Sequence, residues 1–149
     1  MFAMAAHRLG YRVVVLDPDP DGIAAAVADR HLCAPLDDPG ALDQLARMCA
    51  AVTVETENAP SRSLERLARD TVVSPAAHCV AIAQDRIREK RFVIETGLAT
   101  APYTEITSTA DFDAKDLAPL LPGVLKLSRF GYDGKGQARV RTLEEARKA

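Results

Sequence analysis

Short runs of β-branched and apolar residues alternate with helical segments along the first half of the chain, and this alternation limits the possible folds most strongly. Each strand-plus-helix unit is about 20 to 30 residues long, as in proteins in which helices connect parallel strands. Asp38-Pro39 and Ser74-Pro75 each predict a helix start with a cap followed by proline. The pattern predicts an α/β fold with a Rossmann-like parallel-sheet N-terminal lobe, whose strands are Tyr11–Leu16, His31–Ala34, Ala51–Thr56 and Thr71–Val73.

The pattern changes after residue 83, so we predict one lobe over residues 1–83 and a second region over 84–149. A charged amphipathic helix is predicted over Asp85–Thr96, with Ile87, Phe92 and Val93 facing inward. Two short strands follow on either side of a glycine-rich loop. Thr142 and Glu145 then form the capping box of a last helix.

The glycine-rich loop carries the strongest functional signal, because Gly131 to Gln137 holds three glycines within six residues. Backbone N–H groups exposed by glycines, together with lysines, are suited to binding a polyphosphate. Lys126 and Lys135 are two of only 5 lysines, against 14 arginines. A lysine within an apolar strand is costly unless it is paired or bound, so Lys126 is predicted to be a ligand. The loop matches neither the P-loop nor the dinucleotide fingerprint, and an ordinary hairpin turn fits the pattern about equally well.

Composition excludes several other classes of protein. A net charge of −2 gives no general electrostatic case for nucleic acid, and no apolar run is long enough for a membrane span. The three cysteines are odd in number and widely separated, which predicts reduced, mostly buried thiols in a cytoplasmic protein. The three histidines are also scattered, so no metal site is predicted from this chain.

Four segments together resemble the 5-(carboxyamino)imidazole ribonucleotide synthase family of purine biosynthesis, within the ATP-grasp superfamily. His7 to Asp17 is similar to the family's first helix and second strand, and Val52 to Pro60 is similar to its E-x-E-N strand-end motif. Gln84-Asp85-Arg86 resembles the start of the helix entering the ATP-binding part, and Gly131 to Gln137 resembles its G-Y-D-G-[KR]-G-Q loop. The resemblance covers nearly the whole chain. It implies that the first, incomplete part of an ATP-grasp fold follows the N-terminal lobe.

The resemblance also implies an activity: ATP-dependent carboxylation of aminoimidazole ribonucleotide with bicarbonate, through carboxyphosphate, with Mg²⁺ held by residues beyond this chain. It implies that Glu55 and Glu57 bind the imidazole substrate and that Tyr132, Asp133 and Lys135 act in catalysis. It implies a homodimer for the complete enzyme. The implied ATP contacts are Arg86, Lys126, Gly131, Tyr132, Asp133, Gly134, Lys135, Gly136 and Gln137.

Other interpretations stay open at this point. The residues alone favour Arg86 as a surface helix arginine, and Glu57 and Asn58 as caps of the next helix. The chain starts within a predicted helix and stops two turns into another, which predicts a fragment that is inactive alone. The alternatives are another ATP-grasp ligase, such as a formate-dependent transformylase or a biotin carboxylase-like protein, or a nucleotide-binding module without catalysis.

Overall fold

The computed structural model describes residues 1–131 and 135–149, which form two compact units, Met1–Ala81 and Ile82–Ala149. The first unit contains α1 (Phe2–Arg8), β1 (Val14–Leu16), a 3₁₀ turn (Ala25–Val27), β2 (Arg30–Leu32), α2 (Pro39–Met48), β3 (Ala51–Val52), α3 (Ser61–Leu67) and β4 (Val72–Val73). The next helix, α4 (Ala77–Ala83), begins in this unit and ends just past its boundary. The predicted alternation of strands and helices is confirmed.

The strands of the first unit pair in parallel, as predicted, but within two separate two-stranded sheets. Strands β1 and β2 pair with Val15 opposite His31, and strands β3 and β4 pair with Val52 opposite Val73. All four strands are shorter than predicted, most clearly β3, where only Ala51 and Val52 of the predicted six residues pair. Strands β1 and β4 begin later than predicted, and β2 and β3 end earlier, because hydrogen-bond pairing with a neighbouring strand covers less of the chain than the apolar pattern suggests.

One hydrophobic cluster holds the first unit together. Its buried members are Leu32, Leu42, Leu45, Leu64, Leu67 and Val80, and side chains of β1, β3 and β4 pack against it. Helices α2 and α3 each direct two leucines into this cluster, three residues apart. Leucines at i and i+3 lie on one face of a helix, so both helices bury a single stripe against the strands.

The two predicted proline caps have different outcomes. Asp38 caps α2, because its carboxylate accepts a hydrogen bond from the Ala41 N–H at 2.7 Å and Pro39 is the first helical residue. The helix predicted after Ser74-Pro75, over Ala76–Ala83, is present as α4, but the predicted capping position at Ser74 is wrong. Helix α4 begins at Ala77, and the carbonyl of Ala76 accepts its first hydrogen bonds from Cys79 and Val80. Pro75 therefore precedes the helix.

The second unit contains one antiparallel hairpin and several helices. Its elements are α5 (Arg86–Glu95), α6 (Asp111–Ala114), a 3₁₀ turn (Ala118–Leu120), β5 (Gly123–Lys126), β6 (Gln137–Val140) and α7 (Leu143–Lys148). The Thr142 hydroxyl accepts from the Glu145 N–H at 3.2 Å, while the Glu145 carboxylate accepts from the Arg141 N–H at 2.6 Å. The predicted capping box is present, with its return bond one residue earlier than usual.

Three predictions about individual side chains and turns are wrong. Phe92 is 49% exposed, because α5 carries mostly charged residues and buries none of its side chains. The predicted helix over Ile23–Ala28 is a single 3₁₀ turn. Cys33 and Cys79 are exposed and Cys49 is half-buried, so the free thiols are not mostly buried. Within the described residues, no helix combines the length and the apolar character that a bilayer crossing requires.

Candidate functional site

The hairpin of β5 and β6 has one inward and one open face. Lys126 lies opposite Gln137, and Val124 lies opposite Arg139, and all four residues are exposed. Leu125 and Val140 alternate with them on the inward face, where Val140 is buried. Because successive strand residues point to opposite faces, the open face carries two cations and one amide.

The exposure of Lys126 contradicts the argument from burial that predicted this residue to be a ligand. The sequence argument relied on the cost of a lysine inside an apolar strand, but this lysine lies on the exposed face of β5. Its ammonium group therefore needs no buried partner, and the burial argument for a bound ligand is wrong. Its assignment to nucleotide now depends on its position, next to the start of the glycine-rich loop.

One backbone hydrogen bond closes the base of the loop, and the turn beside it requires glycine at position 136. The Leu127 N–H donates to the Gly136 carbonyl at 2.8 Å, which extends the hairpin one step beyond the paired strands. Gly136 has φ +66°, and a Cβ there would lie 2.8 Å from Leu127 Cδ1. A side chain at this position would meet both backbone strain and a steric contact, so the turn depends on glycine.

Arg86 joins the first turn of α5 to the loop. Asp85 caps this helix, accepting from the N–H groups of Ile87 at 3.0 Å and Arg88 at 3.3 Å. The Arg86 N–H donates to the Ser128 carbonyl at 2.9 Å, and its Nη2 donates to the Gly131 carbonyl at 3.2 Å. Arg86 is therefore more than a surface arginine: it is half-buried and fixes the helix start to the entry of the loop.

The other predicted loop residues are described only in part. Tyr132, Asp133 and Gly134 lie outside the described residues. Lys135 and Gln137 are exposed, and the carbonyl of Lys135 would be 3.2 Å from a Cβ placed on Gly131. The structure thus brings Arg86 against Gly131 and sets Lys126 opposite Gln137, within one unit. Lysine and arginine groups beside exposed backbone amides can neutralise and orient phosphate oxygens.

The two predicted substrate glutamates follow β3 in the first unit, and both are exposed. Glu55 Oε1 accepts a hydrogen bond from the Phe2 N–H, in the first turn of α1, at 3.2 Å. Neither Glu57 nor Asn58 is the N-cap of α3, since Pro60 occupies that position. The capping alternative for these two residues is therefore wrong.

Sequence reasoning missed Arg139, which shares the open face of the hairpin with Lys126. Strand alternation contained the signal, because residues 137 and 139 must point the same way once β6 is assigned. Among residues 1–131 and 135–149, no group of three or more His, Cys, Asp or Glu side chains could hold a metal ion.

Comparisons with known proteins point to one family. The family described as ribonucleotide synthetase preATP-grasp domain matches residues 1–84, and the ATP-grasp domain family matches residues 91–149. The N5-carboxyaminoimidazole ribonucleotide synthase of Brucella melitensis is 41% identical over 145 residues, covering 97% of this chain and 40% of the relative. The chain therefore spans about 40% of the length of the curated relatives it matches.

Two solved structures are similar over nearly the whole chain. N5-carboxyaminoimidazole synthetase from Staphylococcus aureus, complexed with ADP, matches with a TM-score of 0.92 and 32% identity, over 99% of this chain and 40% of that one. The Aspergillus clavatus synthase, in complex with ADP and 5-aminoimidazole ribonucleotide, matches with a TM-score of 0.81 and 26% identity, over 99% and 40%. The fold of the chain is thus shared with relatives solved in complex with ADP.

Proposed function

The chain belongs to the ribonucleotide synthetase preATP-grasp family and continues into an ATP-grasp domain, and from this premise we propose that it forms part of a carboxylating ligase. The proposed reaction joins bicarbonate to the exocyclic amine of aminoimidazole ribonucleotide at the expense of ATP. Its support is the name shared by the curated relatives and the two ligands in the Aspergillus clavatus structure.

The proposed chemistry has two steps. A bicarbonate oxygen attacks the γ-phosphorus of ATP, and the bond from this phosphorus to the bridging β-phosphate oxygen breaks. ADP is the leaving group, and carboxyphosphate is the product. The amine nitrogen of the ribonucleotide then attacks the carboxyl carbon and releases a proton, and inorganic phosphate leaves with the electrons of the C–O bond. Most of the catalysis in the first step is positioning and neutralisation of charge on phosphate oxygens.

We assign that neutralisation to the cations around the glycine-rich loop. Lys126, exposed on the open face of the hairpin, would meet nucleotide phosphates, and Gly131 to Gln137 would close over them. Tyr132, Asp133 and Lys135 are proposed to face the bicarbonate and ribonucleotide. Glu55 and Glu57 are proposed to bind the imidazole, because ligands of α/β proteins gather where strands end.

The observation that carries the proposal is the hydrogen bond from Arg86 to the loop. The Arg86 guanidinium donates to the Gly131 carbonyl at 3.2 Å, and the backbone N–H of Arg86 donates to the Ser128 carbonyl. These two bonds hold both the arginine side chain and the entry of the loop in place. An ordinary hairpin turn needs no such anchor from a preceding helix. A site that must grip phosphates does need its cations held in place before the ligand arrives.

Further features of the complete enzyme are part of the same proposal. We propose functional domains over residues 1–83 and 84–149, a cytoplasmic location and a homodimer. ATP would bring Mg²⁺, which supplies charge neutralisation when bound, and its ligands would come from outside the described residues of this chain. The free state of all three cysteines agrees with a reducing compartment.

Reconstitution tests the proposal. We would join this chain to the remaining C-terminal part of the Brucella melitensis relative and measure ADP release. Release that requires both bicarbonate and aminoimidazole ribonucleotide is expected. Release driven by formate or by biotin would instead support another ATP-grasp ligase. ATP binding without release under any of these conditions, in a hybrid shown to be folded, would support a nucleotide-binding module and refute the proposed reaction.

A further inference from the structure

Phe130, at the entry of the glycine-rich loop, has a strained backbone. Its φ is +61°, and among residues 1–131 and 135–149 it is the one residue other than glycine with a positive φ. A left-handed backbone brings the Cβ of an L-residue too close to the following carbonyl oxygen, and for a bulky side chain such a φ is a clear outlier. Glycine would adopt the same conformation without strain. The fold therefore keeps an unfavourable backbone conformation at this position.

The side chain of Phe130 does not account for this conformation. Its ring is 73% exposed, so little buried apolar surface would be lost if the backbone changed. The ring contacts the guanidinium of the neighbouring Arg129, whose Cζ lies 5.8 Å from the ring centroid. A cation–π contact between exposed groups is weak. The left-handed conformation is therefore held by the backbone on either side of Phe130.

Two hydrogen bonds from Arg86 hold that backbone. The Arg86 N–H donates to the Ser128 carbonyl at 2.9 Å, two residues before Phe130. Its guanidinium donates to the Gly131 carbonyl at 3.2 Å, directly after Phe130. Strained residues persist where contacts fix their neighbours, and they occur at ligand clamps and switch regions. Arg86 therefore holds residues 128–131, the strained turn, in place.

The guanidinium of Arg86 has a weak acceptor in this turn. The Gly131 carbonyl is uncharged, and Arg86 forms no ion pair within the described part of the chain, although it is half-buried. A phosphate group carries the opposite charge and accepts two parallel N–H bonds from one guanidinium, so it is a stronger acceptor. A nucleotide phosphate can therefore take the guanidinium from the carbonyl.

We propose that Phe130 is a positioning residue that acts through Arg86: nucleotide phosphate draws the guanidinium from the Gly131 carbonyl, and Phe130 then changes to a negative φ. The strain is present without nucleotide and absent with it, so its release favours nucleotide binding. The usual size of left-handed strain corresponds to a contribution of about fivefold to thirtyfold in affinity. This inference rests on the proposed role of Arg86 in binding ATP.

Two variants of Phe130 test the proposal through ATP binding to the reconstituted enzyme, measured by calorimetry without bicarbonate or ribonucleotide. Phe130→Gly removes both the ring and the strain, and should weaken ATP binding about fivefold to thirtyfold. Phe130→Ala removes the ring and keeps the strain, so its ATP affinity should equal that of the parent. Equal weakening by both variants would mean that the ring itself binds nucleotide. Unchanged affinity in both would mean that no strain is released, and either result would overturn the proposal.

NMR measures the conformation of Phe130 directly. The coupling between its amide and Hα protons, together with the NOE between them, distinguishes a positive from a negative φ. The value should be positive in this chain without nucleotide, and negative in Arg86→Ala and in the ATP-bound reconstituted enzyme. Arg88→Ala, on the exposed side of the same helix, should leave it positive. A positive φ in a folded Arg86→Ala chain, or in the ATP complex, would refute the proposed exchange.

The strained turn and the proposed reaction fail in different ways. A reconstituted enzyme that shows the expected change at Phe130 but releases ADP only with formate or biotin would refute the reaction and support the strained turn. An enzyme that carboxylates the ribonucleotide, while Phe130→Gly binds ATP as tightly as the parent, would refute the strained turn alone. A folded hybrid that binds no ATP would refute both.

Discussion

Replacement of Gly136 by alanine is the most direct test of how the glycine-rich loop is held. The left-handed backbone at φ +66° should cost an alanine about 1–2 kcal/mol. The new Cβ would also lie 2.8 Å from Leu127 Cδ1. Leu127 is 58% exposed and can rotate away, at an off-rotamer cost of roughly 0.5–1.5 kcal/mol. The second unit should therefore lose roughly 1.5–3.5 kcal/mol in its free energy of unfolding.

Gly97→Ala is the matched control within the same unit. Gly97 has φ +82° and nothing within 4 Å of its Cβ position, so its alanine variant carries the backbone cost alone. Urea denaturation, followed through amide resonances of the second unit, gives both free energies. The excess loss in Gly136→Ala over Gly97→Ala is the contribution of the Leu127 contact.

A double variant decides whether that contact is responsible. Adding Leu127→Ala to Gly136→Ala should recover the excess, because the clashing methyl group is gone, and the two substitutions should be non-additive. Additive effects, or a Gly136→Ala chain as stable as the parent, would refute the geometry of the loop base. In the reconstituted enzyme the same substitution should weaken ATP binding, since Gly136 sets the turn beside Lys135.

Three further predictions concern single side chains. Lys126→Ala in the reconstituted enzyme should weaken the free energy of ATP binding by roughly 1.5–3 kcal/mol, measured by calorimetry, whereas Arg88→Ala on the exposed face of α5 should leave it unchanged. Asp85→Ala should cost the second unit about 0.5–2 kcal/mol in urea denaturation, because α5 loses its cap. The N–H and hydroxyl of Thr107 lower the pKa of Asp111 to about 2, from an ordinary 3.8. The lowered pKa stabilises the folded chain; this contribution to the free energy of unfolding is complete above about pH 4 and is lost as the pH falls through 2. Thr107→Ala should raise the pKa of Asp111 in a carboxyl NMR titration, and an unchanged pKa would contradict the assignment to Thr107.

Local chemistry alone was sufficient to predict much of the chain. Asp38 followed by Pro39, and Thr142 with Glu145, predict helix starts correctly, because a cap acts within three or four residues of sequence. The hairpin is also predictable, since alternating apolar residues on both sides of a glycine cluster are compatible with few other structures. The family follows from four short segments, among them Val52 to Pro60 and Gly131 to Gln137.

Tertiary structure decided the features that depend on distant partners. Whether Lys126 is buried depends on which face of β5 packs inward, and the strand's own residues do not contain that information. Arg86 becomes an anchor only because Ser128 and Gly131, more than forty residues later, lie beside the start of α5. The helix after Ser74-Pro75 was predicted correctly, but the capping position was not, because hydrogen bonds to Ala76 place the helix start after the proline.

The sequence by itself therefore determined the order of elements, the helix starts with side-chain caps, the hairpin and the family. Only the folded chain decided strand lengths, the exposure of Lys126 and the contact of Arg86 with the glycine-rich loop. Caps and turns are local, with energies fixed by a few neighbouring residues. Strand pairing, burial and the meeting of cations are non-local, so they depend on contacts between segments that the sequence keeps far apart.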